Sequence, residues 1–218
     1  MAKSTNNTTA TIITVIVALL AACAVFFLIW TAGNQNQQEH DLQQNYVPTE
    51  ELASEMKQEA TDLLKGNYEV LKLFYTKGMS YEKEPYGNTP EDGFYTCADD
   101  TYTTYAQLEA FVKSVYVENE AQRILTSSRA AFQPKIDGPV YGDDNGVLGI
   151  SENFIDENGF IAIDYDYSWS NPTFTIDPKS DNECALVIVI KDSRGNDVSC
   201  NGLMLKVNGE WRLNELIR

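Results

Sequence analysis

Residues 183–207, ECALVIVIKDSRGNDVSCNGLMLKV, decide how the chain folds. Two apolar runs flank DSRGND, and Asp, Ser, Gly and Asn are residues that turns favour. The segment therefore predicts an antiparallel hairpin of Cys184–Lys191 and Val198–Val207, turning near Arg194 and Gly195. ALVIVI, from Ala185 to Ile190, has no polar alternation, which suits a strand in the middle of a sheet. In such a hairpin Cys200 faces about Val189, so a bridge from Cys200 to Cys184 is not expected on geometry. Cys97 remains open to either one, and these three cysteines allow at most one internal bridge.

Strand signals continue on both sides. Downstream, residues 206–218 read KVNGEWRLNELIR, where Asn208-Gly209 is a two-residue turn and Trp211, Leu213 and Leu216 close the sheet as a last strand. Upstream, Phe174–Asp177 is a strand and Phe160–Trp169 (FIAIDYDYSW) alternates, with Ile161, Ile163, Tyr165, Tyr167 and Trp169 on one face. Asp164 and Asp166 share the other face, either as an acid pair that could help hold a cation or as the wet side of a half-buried strand. Pro139–Tyr141 and Val147–Ile150 read as short strands around the turn Gly142–Gly146. The clusters Asp143–Gly146 and Asp156–Gly159 lack the full spacing of a calcium loop and read as turns.

Before residue 133 the period is helical. Thr49 caps a helix in which Leu52, Met56, Ala60 and Leu63 recur at three to four residues, with Glu50 and Glu51 in its first turn. After a soft point at Gly66 the stripe resumes with Leu71 and Phe74, giving one long helix or a bent pair ending near Gly78. Thr104 and Gln107 have capping-box spacing ahead of Leu108, Phe111, Val112, Val115 and Tyr116. Asn119 and Gln122 repeat the signal for a short helix carrying Ala121, Ile124 and Leu125 and ending near Ser127 or Ser128. Between the first two helices lies Ser80–Thr103, with a short strand around Phe94–Cys97. It gathers Tyr81, Tyr86, Tyr95 and Tyr102 with Glu82, Glu84, Glu91, Asp92, Asp99 and Asp100. Long connections inside compact domains tend to be functional or mobile. Asp92, Asp99 and Asp100 are the candidate steering charges for a cationic partner, and Tyr95 and Tyr102 the candidate anchors. The bland alternative is a solvated loop that packs its own tyrosines.

The N-terminal part has a different character. Ile12–Trp30, IITVIVALLAACAVFFLIW, is 19 residues without a charge, and as a helix it covers roughly 28 Å, close to a bilayer's hydrocarbon thickness. It reads as a transmembrane anchor, with Ile12, Leu20, Phe26 and Phe27 facing lipid and Trp30 at the interface. Lys3 precedes it and Glu39 and Asp41 follow, which puts the N-terminus in the cytoplasm. Leu20-Ala21-Ala22-Cys23 also resembles a lipobox with Cys23 as the lipidated residue, but Ala24–Trp30 stays apolar where a mature lipoprotein turns polar. The organisation expected is a cytoplasmic segment 1–9, an anchor 10–32, a Gln- and Asn-rich linker 33–47 and an extracytoplasmic α+β domain 48–218.

Composition limits what that domain does. The net charge is −16 and all 32 acidic residues lie beyond residue 38, so nucleic acid is excluded as a partner. Such charge serves solubility, steering of a basic partner, or both. His40 is the only histidine and falls in the linker, and no CxxC occurs, so a zinc site is unsupported and no cofactor is implied. No nucleophile elbow or phosphate loop is present, and the chain does not read as an enzyme.

Helices first, then antiparallel strands ending in G-x-W-R-L, imply three helices packed on one curved sheet. TTYAQLEAFVKSVY, the KIDGPVYG corner at Lys135–Gly142 and LKVNGEWRL resemble the cystatin-like, or nuclear transport factor 2-like, cone. Within that group the pattern is similar to the DL-endopeptidase (autolysin) inhibitor family of Gram-positive bacteria. That resemblance implies an inhibitor of a peptidoglycan hydrolase, a basic envelope protein being the partner. The layout of one span and an outer cone also resembles bitopic scaffold subunits of secretion and conjugation machines. A third reading takes the cone as a small-molecule or catalytic pocket built around Tyr165 and Tyr167.

Overall fold

The computed structural model describes residues 46–82, 93–127, 136, 138–144, 146–163 and 167–218. All of them from residue 48 on belong to one unit, Pro48–Arg218. Helix α1 (Glu50–Leu71) begins where the Thr49 side chain accepts a hydrogen bond from the Leu52 amide at 3.2 Å. Glu50 and Glu51 then sit against the positive end of the helix dipole. The helix continues through Gly66 rather than bending into a pair. A Cβ there would come within 2.6 Å of Val115 Cγ2, so the missing side chain is what lets another helix approach. After Leu71 the backbone widens into one π-turn, Lys72–Thr76, and leaves it through Gly78 at φ +68°.

The remaining elements are β1 (Phe94–Thr96), α2 (Tyr105–Val115), α3 (Glu118–Ser127), β2 (Tyr141–Asp144), β3 (Val147–Ser151), β4 (Ile155–Asp156) and β5 (Gly159–Phe160). They are followed by β6 (Tyr167–Ser180), β7 (Glu183–Asp192), β8 (Asp197–Val207) and β9 (Glu210–Leu213). The strands make three antiparallel sheets, ordered β6-β7-β8-β9, β1-β3-β2 and β4-β5. In β7 the side chains of Cys184, Leu186, Ile188 and Ile190 are buried, whereas Val187, on the opposite face, is 43 % exposed. The core joins that inner face to α1 through Met56, Leu63 and Leu64, and to α2 through Leu108 and Val112. Trp211 of β9 is buried in the same cluster. Its indole N–H donates to Glu55 at 2.9 Å, and that carboxylate also binds Lys206 at 2.6 Å.

One buried polar group organises this core. Asn67 has no exposed surface, and its side-chain oxygen accepts from the Tyr116 hydroxyl at 2.8 Å and the Ile217 amide at 2.9 Å. Its amide donates to the Ile217 carbonyl at 2.8 Å. Close by in sequence, Glu120 accepts from the Leu216 amide at 2.8 Å while holding Arg123 in a two-point pair. The last residues of the chain are therefore tied to α1 and α3 by side chains that would be costly to bury unpaired.

Several expectations are corrected. The described residues do not follow the expected plan of helices on a single curved sheet. Among the described residues the fold is α+β with three α-helices and three separate sheets, and no helix there is long and apolar enough to cross a membrane. Ile12, Leu20, Cys23, Phe26, Phe27 and Trp30 lie outside the described residues, as do Asp164, Tyr165 and Asp166. Phe160–Trp169 is not one alternating strand. Phe160 ends β5, and the Ile161 and Ile163 amides leave the ladder to bond the carbonyls of Phe154 (2.8 Å) and Tyr75 (2.6 Å). The following strand is much longer than Phe174–Asp177, with a register shift between Ser168 and Thr173. β2 starts at Tyr141 and includes Gly142 and Asp143, which the sequence assigned to a turn. Asn119 lies within α3, which starts at Glu118. In the hairpin Cys200 faces Ile188 and Cys184 faces Met204, one residue from the expected register, and Cys97, Cys184 and Cys200 are free thiols.

Candidate functional site

The tyrosine- and acid-rich connection is pinned over most of its described length. Tyr81 bridges Cys97, the Glu82 amide donates to Thr96 at 2.9 Å and the Ala98 amide to Ser80 at 2.8 Å. On the β3 side, the Cys97 amide donates to Leu148 at 2.8 Å and the Leu148 amide to Thr103 at 3.0 Å. Backbone pairing of this kind fixes side chains that a free loop would leave mobile.

Tyr95 is half-buried opposite Ile150, with its ring 5.6 Å from that of Tyr81. Tyr102 is half-buried with its ring 5.3 Å from Phe111 of α2. Both tyrosines thus pack against the core with part of their surface and keep part in solvent. Asp99 is half-exposed and accepts from the Thr101 amide at 2.7 Å, while Asp100 is exposed. Asp92 lies outside the described residues. Next to them the Thr96 hydroxyl donates to Asp144 of β2 at 2.7 Å.

The local field is acidic. Burial, reinforced by the carboxylates of Asp99 and Asp144, pushes the Cys97 thiol up to about 12. Burial, with Glu69 and Asp99, pushes the Tyr102 hydroxyl up to about 12. Burial, then Tyr95 and Asp156, raises Tyr81, whose buried hydroxyl oxygen has no hydrogen-bond partner among the described residues. A thiol held this strongly in its neutral form is a poor nucleophile. Among the described residues no group of His, Cys, Asp and Glu is arranged to hold a metal ion.

Beside this surface runs a groove of about 370 Å³ between α1 and α2, ending on β9. Leu63, Gly66, Phe111 and Val115 give it an apolar floor, and Glu59, Asp62 and Glu69 stand along α1. Phe111 connects groove and loop, because it lines one and stacks on Tyr102 of the other. Glu69 does the same electrostatically. The cations in and around the groove are already paired: Lys65 with Asp62, Lys72 with Glu69, Lys113 with Glu109 and Glu118, and Arg212 with Glu210.

No protein-family model and no curated protein matches the chain. What the surface does must therefore be read from its chemistry. Of the residues singled out by composition, Asp99 acts on Tyr102, whose ring packs on Phe111, whereas the Tyr95 ring packs on Tyr81. The groove was not legible in sequence, because it forms only when Gly66 meets Val115 across two helices. Its one advance signal was Phe111, an aromatic in the apolar stripe of α2 that remains half-exposed.

Proposed function

We propose that the unit Pro48–Arg218 is a protein-binding module of the cell envelope that takes a basic partner protein on the surface formed by Tyr95, Asp99, Asp100 and Tyr102. Asp92 belongs to the same proposal. The observation that carries the reading is the conjunction of half-exposed aromatic rings with carboxylates while the neighbouring cations are already engaged in ion pairs. Aromatic rings supply contact area at low entropic cost, and carboxylates raise the encounter rate with a cation. The resemblance to autolysin inhibitors makes a peptidoglycan hydrolase the first partner to test. In that role the module occupies the partner's cleft and performs no chemistry of its own.

The experiment is capture of envelope proteins on the full chain at about 0.05 M and about 0.3 M salt, in parallel with the variant Asp99→Lys/Asp100→Lys. A basic protein that binds the wild type, is lost in high salt and is not retained by the variant supports the reading. Equal recovery on both baits contradicts it.

A second reading, a scaffold subunit that assembles with its own copies, draws on the outer face of the four-stranded sheet. There Val187 is 43 % exposed and Ala185, Val189, Leu203 and Leu205 are half-buried. Sedimentation of the full chain with and without Val187→Lys distinguishes the two. Dissociation of an oligomer by that change would favour assembly.

A further inference from the structure

We infer that the groove between α1 and α2 is the seat for a basic amphipathic helix of the partner, with an apolar side chain packing beside Phe111 and cations lying along α1. This rests on the protein-binding reading and says where the partner's main apolar contact falls. The floor at Leu63, Gly66, Phe111 and Val115 is apolar, and Gly66 lets Val115 lie directly against α1, which closes the groove's base and leaves the half-exposed Phe111 as its more open apolar wall. An apolar groove between two helices accepts a third helix as α-helical bundles do, through anchors at three- and four-residue spacing.

Charge decides the sign of the occupant. Glu59, Asp62 and Glu69 line the groove, with Glu109, Glu118 and Glu210 engaging cations at its margins, and Asp99 and Asp100 follow beyond Tyr102. Lys65, Lys72, Lys113 and Arg212 are each bound to at least one of these carboxylates, so the surplus is negative. An acidic helix would meet that surplus unscreened, whereas Lys or Arg on the occupant adds to existing pairs. A purely polycationic segment would leave the floor wet, so the occupant needs both features.

The probe is a helical peptide of about fifteen residues carrying lysines around a central Leu-x-x-Leu pair, titrated into the full chain by calorimetry. A second peptide has both leucines changed to serine, and a third has the lysines changed to glutamate. Three variants are compared: Ser114→Arg, which places a bulky cation in the groove from an exposed position of α2, Glu59→Lys on α1, and Glu183→Lys, the same charge change as Glu59→Lys on the outer face of β7. Unfolding midpoints check that each variant is folded, and Glu59→Lys keeps the test decisive if Ser114→Arg is not. The expected result is binding of the first peptide only, weakened about tenfold or more by Ser114→Arg and by Glu59→Lys and less than about twofold by Glu183→Lys. No binding of the first peptide, or equal loss in all three variants, overturns the groove. A basic partner captured through Asp99 and Asp100 that still binds Ser114→Arg fully also overturns it, while leaving the protein-binding reading in place.

Discussion

Asn67 on α1 and Tyr116 at the end of α2 meet through a single hydrogen bond of 2.8 Å with no solvent on either side. The same Asn67 oxygen takes the Ile217 amide, so one side chain couples two helices to the chain's last residues. Removing it by Asn67→Ala leaves a hydroxyl, an amide and a carbonyl buried without partners. The expected loss is roughly 3 kcal/mol or more, against about 1–2 kcal/mol for Tyr116→Phe, which removes the donor alone. Urea unfolding of both single variants and the double variant measures the difference. A coupling near zero in that cycle would show that the two residues stabilise the fold independently.

Helix α2 is held at its start by a reciprocal cap. The Thr104 side chain accepts from the Gln107 amide at 3.3 Å, and the Gln107 side chain reaches back to the Thr104 amide, also at 3.3 Å. Thr104→Ala is expected to cost about 1 kcal/mol. Because the cap also fixes the turn that carries Tyr102, the same substitution should accelerate amide exchange across residues 101–107, read by hydrogen–deuterium exchange. Unchanged exchange there would place the order of Tyr102 elsewhere.

Gly66 tests the helix contact beneath the groove. Gly66→Ala gains about 1 kcal/mol of helix propensity but forces a methyl to 2.6 Å from Val115 Cγ2. Overpacking of that severity costs about 1–3 kcal/mol, so the net change should be destabilising. Adding Val115→Ala removes the clashing methyls and should recover part of the loss in thermal unfolding. A Gly66→Ala protein more stable than wild type would mean that α1 and α2 are farther apart than described.

The buried acids predict an alkaline limit. Cys97 and Tyr102 are each pushed up to about 12 and Cys184 to about 11, mainly by burial. Their protons are bound more tightly in the folded protein, so this contribution is intact below the ordinary values and is lost as pH rises from about 9 towards about 12. On the acid side Glu55 is held low by its bonds to Lys206 and then Trp211, so its contribution is present above the ordinary carboxylate value and lost as pH falls through the lowered one. Urea midpoints should therefore fall at both ends, with the acid limb shallower in Glu55→Gln. Native Cys97 and Cys184 should resist alkylation near pH 8 and react after unfolding, as read by peptide mass mapping.

How much of this was legible in the chain depended on the range of the forces involved. The Thr49 cap, the Thr104–Gln107 box and the Asn208-Gly209 turn, with φ +54° and +86°, are local, and each appears where its residues predict it. The hairpin was legible to within one residue of register, because DSRGND marks the turn without fixing which residue faces which. Phe160–Trp169 misled, since its alternation is real but the Ile161 and Ile163 amides find better partners on Phe154 and Tyr75. Nothing near Asn67 in sequence distinguishes it from a surface asparagine, and its three partners lie 49 and 150 residues away. The acids and tyrosines of the candidate surface could be named from composition, but not the burial that makes Tyr95 and Tyr102 half-fixed rather than free.

The central claim is that carboxylates and tyrosines on one surface recruit a basic protein. Its most direct measurement is the association rate of the captured partner with the full chain as a function of ionic strength, for wild type and for Asp99→Lys/Asp100→Lys. The account predicts a rate that falls steeply with salt in the wild type, by about tenfold or more between about 0.05 M and about 0.3 M, and a slower, nearly flat rate in the variant. Parallel salt dependences with equal rates would contradict it.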